Sequence, residues 1–136
     1  MAHESAERLN AVLADVWSLV RLLRELESKV EHPGTKEALK RVRVDFSAHC
    51  ASLSGLIRNF GAGPVDKPGE LARKIESIES ESELWRLLDA GLDEGCTQIQ
   101  STISGLGEES HRKELTSVEH NLRENRQWLQ RLAPRS

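Results

Sequence analysis

Residues 9–30 read LNAVLADVWSLVRLLRELESKV, and this stretch decides the fold class. Leu9, Val12, Val16, Leu19, Leu23, Leu26 and Val30 alternate steps of three and four. That spacing keeps seven apolar side chains on one stripe of an α-helix, and no strand, with its period of two, would gather them. Leu13, Val20 and Leu22 widen the stripe beyond the narrow seam of a two-stranded coil, as a bundle helix requires. The spacing predicts a helix over 6–31, broken by Pro33-Gly34.

The pattern recurs three times. Leu39, Val42, Phe46, His49, Leu53, Leu56 and Phe60 predict a second helix over 36–60, with Thr35 as N-cap and Gly61, Gly63 and Pro64 ending it. His49 is the polar member of that stripe. Leu84, Trp85, Leu88, Leu92, Cys96, Ile99 and Ile103 predict a helix over 81–104, opened by the capping box Ser80-Glu81-Ser82-Glu83. Leu115, Val118, Leu122, Asn125, Leu129 and Leu132 predict the last helix, over 108–132. Asp66 and Pro68 mark the start of a short helix over 68–79, carrying Leu71, Ile75 and Ile78. Two connections are short and make antiparallel hairpins; the middle one has about twenty residues, enough for a crossover along the bundle. The expectation is one all-α domain over 1–136, an antiparallel four-helix bundle whose long 2–3 crossover contains a short helix.

Composition narrows the function. The chain has 136 residues, 19 basic and 22 acidic, a net charge of −3, and 4% aromatics with no Tyr. A balanced charge argues against a nucleic-acid binder. No apolar run reaches the length of a membrane span, and the polar start, Met1 to Glu7, has no signal-like core, so the expected location is cytoplasmic. Two cysteines make no disulfide framework.

The helix pattern, the crossover and the segment Asp45-Phe46-Ser47-Ala48-His49-Cys50 resemble small bacterial ferritin-like, rubrerythrin-related bundles of unknown function. The resemblance covers about Leu9 to Leu132. It implies a di-metal site built from one Glu on each of two helices and a Glu-x-x-His on each of the other two. Here the second helix offers Phe46-x-x-His49, so the Glu is replaced by Phe. The fourth stripe offers Val118, Leu122 and Asn125, and Asp15 and Glu94 lie off the inward stripes. The resemblance therefore points to a degenerate di-metal site, with no cofactor.

The expected function is a non-enzymatic, metal-free structural or protein-interaction module, forming a homodimer through helices 1 and 2, with Trp17 at the interface. One alternative is a metal-binding or oxidoreductase bundle with a non-standard site around His49, drawing on Cys50, Cys96 and His120. Against it, adjacent helical residues point about 100° apart, and buried cysteines are more often small packing groups than ligands. The other alternative is a bundle binding a small apolar ligand, with a pocket of Phe46, His49, Trp85 and Trp128. The basic run Lys36 to Arg43 and the acidic tract 70–94 read as solvated faces.

Overall fold

A computed structural model describes residues 2–65, 69 and 71–133 of the chain. Every regular element among the described residues is helical: α1 (Ala2–Lys29), α2 (Pro33–Asn59), α3 (Leu71–Glu76), α4 (Glu81–Gly105) and α5 (Glu109–Leu132). The apolar stripe of α1 is 0–5% exposed along its whole length. Leu13, Val20 and Leu22 are buried too, because α1 packs against α2, α4 and the crossover helix α3.

The direction of each helix follows from cross-helix contacts. Arg43 of α2 donates to Glu27 of α1 at 2.6 Å, beside the short turn that joins them. On α4, Gly91 and Gly95 lie against Leu19 and Gly105 against Arg8, so α4 runs antiparallel to α1. His49 contacts Asn121, and the Phe60 and His111 rings lie 5.1 Å apart, so α5 runs antiparallel to α2. Each neighbour is therefore antiparallel, while α2 and α4, on the diagonal, point the same way. Only a connection running the length of the bundle permits that.

The crossover is tied to α1 by side chains rather than by its own regular structure. Asn10 donates from Nδ2 to the Gly63 carbonyl at 3.1 Å and accepts from the Val65 N–H at 2.9 Å, much as a neighbouring strand would. The Gly69 N–H donates to Ser18 Oγ at 2.7 Å and to the Ala14 carbonyl at 3.1 Å. Ser18 is 0% exposed and donates in turn to Ala14, so this buried hydroxyl is fully used. The helix α3 then buries Ala72 and Ile75.

Helix α1 spans Ala2–Lys29 rather than 6–31, and α2 and α3 depart from the sequence expectation for physical reasons. Helix α2 begins at Pro33, not 36, with His32 rather than Thr35 as N-cap; its ring accepts from the Thr35 N–H at 3.3 Å. Pro33 has no N–H to leave unsatisfied and its fixed φ suits the first helical position, so it opens the helix that it was expected to precede. At the other end, Gly61 has φ +76°, with Gly61 N–H bonded to the Arg58 carbonyl and Ala62 N–H to the Ile57 carbonyl. This paired closure needs a left-handed residue, which glycine supplies without strain. Helix α3 covers six residues rather than twelve; the proposed starters Asp66 and Pro68 lie outside the described residues. Ser80 does cap α4, accepting from the Glu83 N–H at 3.5 Å.

Candidate functional site

The sequence singled out His49, and the structure shows what it touches. Its Nε2 lies 2.7 Å from Asn121 Oδ1 on α5. The same oxygen accepts from Asn125 Nδ2 at 2.9 Å. His49 Nε2–H and the Asn125 amide thus converge on one carbonyl oxygen, and the Phe46 ring packs 6.1 Å from the imidazole at a tilt of 33°. Asn125 is 8% exposed. A polar triad at a helix–helix seam fixes axial register, since sliding α2 past α5 would strand three polar groups. Asn121 escaped the sequence reading because it lies one position before the apolar stripe; its spacing of four from Asn125 was the available signal.

The other metal-ligand candidates do not join His49. Cys50 is 1% exposed, and burial pushes its thiol up to about 12. Cys96 is raised as well, first by burial. Both behave as small apolar groups, not as thiolates. His120 faces solvent and sits 2.7 Å from Glu124 on its own helix. Among the described residues, no three His, Cys, Asp or Glu side chains gather as a metal centre would require.

Two acidic positions off the stripes meet elsewhere. Asp15 of α1 and Glu94 of α4 line a hollow of about 210 Å³ with Leu71, Lys74 and Gly91, beneath α3. The Asp15 carboxyl is raised above its ordinary 3.8, first by desolvation and then by repulsion from Glu94. A carboxyl with a raised folded-state value is penalised when ionised. The penalty is absent well below pH 4, where Asp15 is protonated whether folded or not, and grows as pH rises through the folded value. Asp15→Asn should therefore raise Tm by about 2 °C or more at pH 7, with the gain vanishing near pH 3. Differential scanning calorimetry across pH checks this; an equal gain at both ends would show the carboxylate charge to be irrelevant.

The densest polar cluster joins α4 to α5. Arg126 donates from Nε and Nη2 to the two carboxylate oxygens of Asp89, at 2.9 and 3.1 Å, and from Nη1 to Asp93 at 3.0 Å. Gln130 adds a bond to Asp89 at 2.9 Å. The Arg126 hydrogen bonds hold the Asp89 carboxyl below its usual range. Beside this fork is a hollow of about 290 Å³, floored by Leu88, Leu92 and Leu129 and walled by Trp85. Phe46, His49 and Trp128 do not line it. Trp85 is 6% exposed and donates to Glu81. Trp17 is half-buried against the core, and its indole N–H is buried without a partner.

No protein-family model matches the chain, and no curated protein does. Among solved structures, a point mutant of Dps1 from Mycobacterium smegmatis matches with a TM-score of 0.79 over 98% of this chain and 97% of that one, at 14% identity.

The fold is ferritin-like. At that identity the likeness carries architecture and not chemistry. Phe46, three residues before His49 on α2, is 0% exposed, and His49 is engaged by an amide.

Proposed function

We propose that this chain is a ferritin-like bundle that serves as a structural and self-associating module, without a di-metal centre. The observation that carries the reading is the apolar core between the helices. Leu19, Leu23, Phe46, Leu88, Leu92 and Leu122 are each 0–1% exposed. A carboxylate-bridged metal pair needs oxygen donors and charge compensation, and the donor set does not fit one. Phe46 takes the place of the motif's Glu, and Val118 and Leu122 fill the stripe of α5. Asp15 and Glu94 face each other in the groove beneath α3, apart from His49. Catalysis is not part of this reading, nor is nucleic acid; no described helix is long and apolar enough to cross a membrane.

Metal analysis tests the proposal. Protein purified without chelator should carry no stoichiometric iron, manganese or zinc, and should not accelerate oxidation of added Fe(II). Melting should be unchanged across a divalent-cation panel. One or more ions per chain, lost in His49→Ala, would overturn it in favour of a residual metal site around that histidine.

The hollow beside Trp85 favours one second reading, a small apolar ligand with a polar end near the Arg126 fork. Its volume of about 290 Å³ is at the lower limit of ordinary ligand pockets.

A further inference from the structure

Arg86 stands at the rim of the hollow beside Trp85. It is exposed and makes no ion pair or side-chain hydrogen bond among the described residues. The other charges of that lining are already engaged. Asp89 is the one acid among the described residues that line the hollow. Its Oδ1 accepts from Arg126 Nε and from Gln130, and its Oδ2 accepts from Arg126 Nη2. Arg126 uses three of its five N–H groups on Asp89 and Asp93, which leaves one on each terminal nitrogen. The fork holds the guanidinium plane still, so those two N–H groups keep fixed directions. Two arginines face one aspartate around the hollow, and its excess charge is positive. The floor is apolar: Leu88, Leu92 and Leu129 are 0–3% exposed. Trp85 gives its indole N–H to Glu81, so its ring needs no polar partner inside the hollow.

We infer that this hollow binds a small amphipathic anion, a medium-chain carboxylate whose head meets Arg86 and the free edge of Arg126 and whose tail lies on the leucine floor. This rests on the ligand reading above and names the ligand's chemistry. Charge selects the head group. A cation would meet no open carboxylate, because both Asp89 oxygens accept already and the Arg126 hydrogen bonds keep that group ionised. A neutral molecule would gain from the floor alone and leave Arg86 unpaired. An anion gains from both, since a planar guanidinium matches a carboxylate and hydrogen bonds between charged groups are the stronger kind. Size selects the tail. A hollow of about 290 Å³ holds about ten non-hydrogen atoms, if each takes the roughly 30 Å³ of a water in the liquid. Octanoate has that size.

Octanoate, octanol and octylammonium share one chain length and differ in the charge of the head. Titrated into the full chain by isothermal calorimetry, below their micelle-forming concentrations, they separate the cases. Octanoate should bind once per chain, at least about tenfold more tightly than octanol, and octylammonium should bind more weakly than either. Binding should shift the Trp85 indole N–H resonance, assigned by its loss in Trp85→Phe. Arg86→Ala should bring octanoate down to the level of octanol with melting unchanged, because position 86 is exposed. Ala90→Phe, which fills the mouth from an exposed position of the lining, should weaken both probes. Equal affinity for octanoate and octanol, both lost in Ala90→Phe, would overturn the anion inference and leave the apolar-ligand reading standing. A preference for octanoate that survives Arg86→Ala would overturn it too, by placing the carboxylate elsewhere. Absence of binding by all three probes would overturn the inference and the ligand reading together. The metal-free module reading is decided separately, by metal analysis of the core.

Discussion

Phe46→Glu should leave no folded protein at neutral pH, with or without added metal. The substitution writes a Glu-x-x-His into α2, so it asks directly whether the rest of the bundle can complete a metal site. Phe46 is 0% exposed among leucines. Replacing it removes an aromatic ring, which alone costs about 3–5 kcal/mol. It also places a carboxylate where no cation stands, and an unpaired buried charge costs several kcal/mol more in practice. The total exceeds much of the roughly 5–15 kcal/mol that holds an ordinary domain together. Far-ultraviolet circular dichroism should report loss of the helical signal. Phe46→Ala separates the two parts: it should fold but melt roughly 10–20 °C lower, from the ring alone. If iron or manganese rescued Phe46→Glu, three further donors would have to be waiting around that position, and the apolar reading of the interior would be wrong.

The elements legible in the sequence were those encoded by one periodic stripe. Leu9 to Val30 announce α1 because burying one face of a helix needs nothing but spacing, and the crossover is implied by chain length alone. The core role of Trp85 and the buried amide of Asn125 follow from the same stripes. The missed features depend on pairs of elements meeting in space. Asn121 looks like a surface residue until α5 is laid beside α2 and its oxygen meets His49. Asn10 and Ser18 look like interruptions of a helix surface until the crossover arrives with bare N–H and carbonyl groups to satisfy. Asp15 and Glu94 lie off the core stripes, but nothing in one helix says that they share a groove with each other. A large ring beside an apolar stripe reads as interfacial, as at Trp17; the structure half-buries that ring against the core, and it exposes Val44 on the polar-looking face of a helix whose inward pattern is the more conspicuous.

Gly91→Leu should have the second largest effect, and should act on the crossover before it acts on the bundle. A Cβ on Gly91 would lie 3.1 Å from the tips of both Leu19 and Leu71, so α1, α3 and α4 all converge on this missing side chain. A single added carbon has some room to push, because both neighbours are flexible methyl ends, and Gly91→Ala also gains about 1 kcal/mol of helix propensity. The two terms oppose each other, and Gly91→Ala should be near neutral. A leucine has no such compromise. It must displace either Leu19, which is 0% exposed at the centre of α1, or Leu71 at the first turn of a six-residue helix. The short helix is the weaker holder, since few of its own hydrogen bonds oppose its leaving. The expected cost is about 2–3 kcal/mol from overpacking, with α3 lifted and the residues around it opened to protease while α1, α2, α4 and α5 stay paired. Gly95→Leu is the control one turn on. There the nearest atoms, on Leu122 and Leu19, lie at 3.6 and 4.0 Å, and α3 is not among them. It should lower Tm through the core without exposing the crossover. Limited proteolysis read alongside melting distinguishes the two, and cleavage appearing equally in both variants would mean that Gly91 does not hold the crossover against the bundle.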